Sequence, residues 1–286
     1  MSCPSISAAK NRMWRVGAVA ALLFAAGAAH AQSQARPAAP ADTLRYPFVA
    51  ALSRGSGDGR VYFCTGALIA PRWILTAAHC FHDPRGARIG SGGLAVEVGA
   101  NSLREVPRAA QVAVARIIIH PDYESESQDN DIALVELAEE AGPLIAEIMT
   151  AGPVSDEGAA TVIGFGSFYE GRLAANALSR TGAPVSQLSD RLRQADVRLV
   201  DPAACAARLG AGGGPTGADR ICAAGGSEAT CVGDSGGPLI VEGADRTDRL
   251  AGIVSFGSGC AAAQPVTVYT RVSAYAGWIA ATIRGR

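Results

Sequence analysis

Between residues 46 and 272 the apolar residues come in short runs, and clusters of Gly, Pro, Asp and Ser end each run before it reaches helical length. The runs at 48–52, 66–69, 73–76, 112–114, 132–135, 161–163, 238–241, 252–254 and 266–269 are the clearest. Short segments punctuated in this way predict many brief strands, and therefore an all-β barrel or sandwich. Helical spacing is confined to the C-terminal end. There Ser273 stands where a cap would, followed by Tyr275, Trp278, Ile279 and Ile283, which predicts a helix over about 273–284. The stretch from Gly142-Pro143 to Gly152-Pro153 reads as a seam, dividing the chain into halves of about 46–145 and 158–272.

The beginning of the 286-residue chain has a different character. Lys10, Arg12 and Arg15 precede the apolar run 16–29, and Ala29-His30-Ala31 has the small-x-small form of a signal peptidase site. Fourteen apolar residues are too few to cross a bilayer comfortably, so 1–31 reads as a cleaved export signal, leaving no membrane anchor. Residues 32–45, rich in Ala, Pro and Gln without periodicity, read as a flexible lead segment or propeptide. Removing the signal takes three basic and no acidic residues, leaving a mildly acidic chain with no basic run to suggest nucleic acid.

Seven cysteines become six when Cys3 leaves: Cys64, Cys80, Cys205, Cys222, Cys231 and Cys260. In an exported chain an even set reads as three disulfides, and spacing alone leaves fifteen pairings open. Reduced, buried thiols are the competing reading.

The chemistry turns on Gly233-Asp234-Ser235-Gly236-Gly237. A serine hydroxyl becomes a nucleophile when a base takes its proton and a third group orients that base. The run fits Gly-x-Ser-x-Gly, the strand-to-helix elbow of α/β-hydrolases, but in that fold the histidine follows the serine. No histidine follows Ser235, which excludes the elbow. Of the remaining histidines, His79 ends a strand-like run beside Cys80, an arrangement that suits a base with little freedom. His82, next to Asp83-Pro84, and His120, before Pro121, read as loop residues. A zinc site on His79 and His82 lacks a second ligand cluster nearby. For the orienting carboxylate, Asp131 immediately precedes Ile132-Ala133-Leu134-Val135, where the chain enters the core. A buried carboxylate needs hydrogen bonds, and an imidazole N–H would supply one. A strand or helix cap is the alternative for an isolated Asp.

Taken in order, Thr76-Ala77-Ala78-His79-Cys80, Asp131-Ile132-Ala133-Leu134 and Gly233-Asp234-Ser235-Gly236-Gly237-Pro238 resemble the chymotrypsin/trypsin family of serine proteases. Tyr46-Pro47-Phe48, His120-Pro121-Asp122-Tyr123, Gly164-Phe165-Gly166, Val254-Ser255-Phe256-Gly257 and Val268-Tyr269-Thr270 extend the likeness from residue 46 to the C-terminus. The resemblance implies two six-stranded antiparallel β-barrels around a cleft, a C-terminal helix, and disulfides Cys64–Cys80, Cys205–Cys222 and Cys231–Cys260. It implies Ser235 as nucleophile, His79 as base and Asp131 as its orienting group, with Ser255 bonded to the aspartate. The amides of Gly233 and Ser235 are then the oxyanion hole. Polypeptide substrates follow, with a protein inhibitor as an admissible partner and no cofactor or metal. The sequence carries no signal of oligomeric state.

Ala229, Thr230, Ser255, Phe256, Gly257 and Thr267 fall where the family lines its specificity pocket. Ala229 stands where trypsin-like members have an Asp, and Thr267 narrows a wall that Gly257 leaves open. This implies a preference for small or medium apolar residues before the cut. Residues 167–190 read as a surface loop near the cleft. One family element is absent: no Ile-Val-Gly-Gly stands between Ala31 and Pro47 to supply a new amino terminus for Asp234. A weak or inactive homologue acting by binding is the alternative this gap raises.

Overall fold

The computed structural model describes residues 39–41, 44–55, 60–83, 85–104, 111–142, 145–148, 158–166, 189–210, 218–225, 233–243, 245–258 and 265–285. The segment read as an export signal, Ala229, Thr230, the expected Cys231–Cys260 disulfide and residues 167–188 of the expected surface loop lie outside them.

The first half is a closed barrel of six antiparallel strands: β2 Val49–Arg54, β3 Val61–Ala70, β4 Trp73–Thr76, β5 Leu94–Val98, β6 Val112–Ile119 and β7 Ala133–Leu137. They run around the barrel in the order β2-β3-β4-β7-β6-β5. All residues of β4 and β7 are buried, as expected for strands with a neighbour on each side and protein on both faces. The second half contains β8 Gly158–Gly164, β9 Arg193–Val200, β10 Arg220–Ala224, β11 Pro238–Glu242, β12 Asp248–Gly257 and β13 Val266–Arg271. These follow the order β9-β10-β13-β12-β11-β8, and a β8–β9 pairing closes the ring. Ala160, Val162, Ala195, Val197, Leu199, Ile221 and Leu239 fill it.

Strand register brings the chemistry-bearing residues to one place. In barrel one Thr76 pairs with Ala133, so His79, three residues past Thr76, and Asp131, two before Ala133, emerge at the same end. In barrel two Pro238 pairs with Ile253, which brings the segment containing Ser235 beside Ser255 in the same way. The two ends meet: the Thr65 N–H of β3 donates to the Ser235 carbonyl at 2.8 Å. Ile163, Phe165, Ile240, Leu250 and Ile253 of barrel two join the apolar cluster of barrel one, so one core runs across the junction. Within the expected seam, Ala146 N–H donates to Leu68 of barrel one, and Glu147 accepts from Leu250 N–H of barrel two.

Three local features differ from the sequence expectations. Ala39–Pro40, within the segment read as flexible, form a short strand β1 on the edge of β9, a position that tolerates a proline's missing N–H. Ser273 does not cap the last helix. It lies in a 3₁₀ turn, Val272–Tyr275, that feeds α2, Ala276–Arg284, in which no side chain caps the first turn. A second helix, α1 Pro202–Leu209, was not expected. Asp201 caps it by accepting from the amides of Ala203 and Ala204, and Pro202 occupies the first helical position, where its missing N–H costs nothing.

Candidate active site

His79 leaves β4 in a 3₁₀ turn, Ala78–Phe81, tied to β3 by the Cys64–Cys80 disulfide. A cross-link closing a loop of this length restrains the unfolded chain by about 3 kcal/mol in the chain-entropy model. Its position next to the histidine fixes the imidazole's backbone. Cys205–Cys222 is also bonded, joining α1 to β10.

Asp131 faces His79 with both oxygens. The His79 backbone N–H donates to Oδ1 at 2.9 Å, and Nδ1 lies 2.8 Å from Oδ2. An ionised carboxylate only accepts, so Nδ1 carries the proton and the lone pair remains on Nε2. Barrel two holds the same aspartate: Ser255 Oγ donates to Oδ2, and Thr270 Oγ1 donates to the Asp131 carbonyl at 2.8 Å. Ser255 reaches inward because the β12–β13 register steps from Val254–Tyr269 to Phe256–Val268 and leaves it out of the ladder, a bulge that re-aims its side chain. The Asp131 side chain is fully buried while that of His79 is 21% exposed, so the pair opens toward solvent on the imidazole side. Burial works against the His79 cation, yet the charge and hydrogen bond of Asp131 outweigh it and raise the pKa above the ordinary histidine value. Burial likewise works against the Asp131 anion, and His79, with help from Ser255, holds its pKa below the usual range.

Ser235 sits in a turn entered through Gly233, at φ +98°, and left through Gly236, at φ +76°, both conformations that favour glycine. A Cβ on Gly236 would strike the Thr76 hydroxyl, the Thr65 carbonyl and the Ala77 amide, so this turn needs a bare backbone to reach the strands that carry His79. Tyr62 and Thr65 hydroxyls both donate to the Gly233 carbonyl, at 2.5 and 3.0 Å. Burial raises the Tyr62 pKa well above its ordinary value, which keeps the phenol a donor. The Asp234 carbonyl accepts from Gly237 N–H at 2.7 Å. In a planar trans peptide the N–H opposes the carbonyl, so the Ser235 N–H is directed away from that bond. Gly236 and Gly237 spend their amides internally, whereas those of Gly233 and Ser235 meet no acceptor among the described residues. The Ser235 hydroxyl likewise makes no hydrogen bond to the imidazole among the described residues.

The buried Asp234 side chain accepts from Gly166 N–H at 2.8 Å. A Cβ on either Gly164 or Gly166 would overlap its carboxylate. Phe256, Gly257 and Thr267 lie together on β12 and β13, where Gly257 pairs with Thr267. His82 stacks on Tyr123 with ring centroids 5.0 Å apart and contacts the Ala78 carbonyl through Nδ1. His120 packs between Tyr275 and Trp278, and burial lowers its pKa. A cavity of about 420 Å³ opens beside His79 and is also lined by His82, Asp83, Tyr123, Glu126 and Gln128. Cys64, His79 and Cys80 cluster as metal ligands often do, but the two sulfurs are bonded to each other and offer no thiolate.

Sequence reasoning assigned no role to Thr65, Tyr62, Thr270 or Gly164 and Gly166. The two glycines and Thr270 stood in family-like motifs without a role, while Thr65 and Tyr62 carry no signal until register sets them opposite their partners.

Comparison with known proteins places this geometry. A family model described as Trypsin matches residues 36–279. Trypsin Blo t 3 of Blomia tropicalis is 35% identical over 243 residues, covering 82% of this chain and 80% of that protein. Brachyurin of Leptuca pugilator is 37% identical over 227 residues, covering 77% and 87%. Coagulation factor XII of Sus scrofa is 34% identical over 252 residues, a match that takes in 82% of this chain but only 37% of the larger protein. With the family matched along nearly all of both barrels, the chain belongs to the trypsin family and is a serine endopeptidase, a hydrolase.

Proposed function

We propose that the enzyme cuts polypeptides through an acyl-enzyme, with Ser235 as nucleophile, His79 as general base and acid, and Asp131 as the group that fixes the imidazole. The observation that carries this reading is the Asp131 carboxylate held on His79 Nδ1, which leaves Nε2 as the basic nitrogen. The Ser235 turn, docked on Thr65, adds the nucleophile. Ser235 Oγ forms a bond to the scissile carbonyl carbon while its proton passes to Nε2. The oxygen that gains charge is met by the Gly233 and Ser235 amides, each such donor being worth about 100- to 1,000-fold in rate. The C–N bond then breaks, the amine leaves with the proton from His79, and water repeats the sequence to release the acid and restore Ser235. A serine-directed acylating reagent labels Ser235 in the purified enzyme, and Ser235→Ala abolishes labelling. A protein that cleaves peptides but takes no label at Ser235 would overturn the assignment.

The specificity pocket expected from Ala229, Thr230, Ser255, Phe256, Gly257 and Thr267 is read as apolar and narrow, favouring small or medium apolar residues before the cut. The Gly257–Thr267 pairing supports this reading by setting the branched side chain against the residue with none. Equal or better cleavage after Arg in a panel of chromogenic peptides would refute it. The protein is read as exported to the periplasm or beyond the cell, with residues 1–31 removed and 46–286 forming the peptidase domain. No helix among the described residues is long and apolar enough to cross a membrane. Amino-terminal sequencing of the exported enzyme tests the cleavage point.

A further inference from the structure

Arg220, on β10, is only 6% exposed, an unusual place for a guanidinium. Its Nη2 donates to the Ser127 carbonyl at 2.9 Å and to Asp129 Oδ1 at 2.6 Å. Both acceptors belong to the barrel-one loop that ends at Asp131. The guanidinium carbon also lies 5.3 Å from the centre of the Phe256 ring on β12, within cation–π reach. One buried cation thus touches a strand residue of barrel two and a loop of barrel one. That loop turns sharply. Glu124 bridges to Asp129, Gln128 and Asn130 both have φ +53°, and Gln128 lines the cavity beside His79.

An apolar side chain would fill this space at less desolvation cost, so the charge is best explained by the two acceptors it holds. Asp131 is already fixed by His79, Ser255 and Thr270, and needs little from Arg220. The stretch 127–129 has fewer restraints: Ser127 and Asp129 bond each other locally, and Arg220 supplies the contact to the other barrel. We infer that Arg220 is a positioning residue that sets the distance between the Phe256 wall of barrel two and the Gln128 wall of barrel one, and so governs how the enzyme reads substrate residues beyond the one at the cut. This rests on the reading of Phe256 as a substrate wall.

The test uses enzyme whose active sites have been counted by acylation, so that losses of folded protein do not count as losses of rate. Two substrates share the same residue before the cut, one a blocked single residue and the other a tetrapeptide. The wild-type enzyme gains kcat/KM with length. In Arg220→Met the tetrapeptide loses about tenfold, carried by KM, while the single-residue substrate stays within about twofold. Arg220→Lys retains the charge on a shorter side chain without the planar guanidinium that lies over Phe256, and falls between. Asp129→Ala cuts the same link from its half-exposed end, gives the same loss of length dependence, and carries the test if Arg220→Met does not fold. A variant that keeps the wild-type gain with length overturns the inference, as do equal losses on both substrates, which mark a merely structural role. A wild-type enzyme indifferent to length overturns the reading of the Phe256 wall and the inference with it.

Discussion

Asp131 and Asp234 are both buried carboxylates at the cleft, and the protein surrounds them differently. Asp131 is met by side chains: an imidazole and a serine hydroxyl converge on it, with one backbone amide completing the set. At Asp234 the described backbone leads: the Gly166 amide donates to it, and Gly164 and Gly166 clear the space it occupies. The first environment governs protonation, because its partners shift pKa values in opposite directions on the two members of the pair. The second governs backbone placement, because Asp234 is the residue between the two amides assigned to the oxyanion. Burial of a charge therefore serves a proton in one case and a peptide plane in the other.

Neutralising the first carboxylate should separate these roles most sharply. Asp131→Asn keeps the shape but presents the imidazole with a different donor pattern, and kcat should fall by about 10,000-fold with little change in stability. In the proposed mechanism the neutral imidazole is the working base, so the rate should fall as pH drops through the raised His79 pKa. Without the Asp131 charge only the lowering effect of burial remains, and the acid limb of the residual activity should move to lower pH. A limb that stays in place would show that another group controls it. Gly166→Ala attacks the second environment. Its methyl overlaps the Asp234 carboxylate, which must shift and carry the neighbouring amides with it, so kcat should drop about 100-fold while the His79 pH limb stays put. Full activity in a folded variant would mean that the fit around Asp234 does not set the amides. Ser255→Ala is the mildest, removing one of several donors to Asp131. About a tenfold loss in kcat is expected, with a small shift of the acid limb, since the remaining donors are intact.

Legibility followed the same division. The order His, Asp, Ser and the apolar runs around each residue exposed the Asp131 side of the site, because strand ends bearing a polar residue are a local signal. All nine of the clearest apolar runs overlap observed strands. The strands without such a run are instructive: β9 buries Ala195, Val197 and Leu199 but alternates them with Asp196 and Arg198, so no continuous run marks it. Helix α1 was announced by Asp201-Pro202, a cap and first-turn pair hidden in a stretch read for strands. The partners of Arg220 and Thr270 had no local signal, because they lie 91 and 139 residues away and only barrel closure brings them together. The opposite failure is Ser273, whose cap-like position in the sequence was overridden by the 3₁₀ turn that brings Tyr275 onto Asn130.

The grip on Asp131 from both barrels has a consequence for how the enzyme comes into being. Its imidazole partner is supplied by the first-made half of the chain, whereas Ser255 and Thr270 arrive only after the second half has closed. A newly made chain with one barrel formed has a histidine and an aspartate but neither the proposed nucleophile, Ser235, nor the hydroxyls that steady the carboxylate. If the triad acts as proposed, cutting power waits for the halves to dock, and a half-folded molecule should not digest its unfinished neighbours.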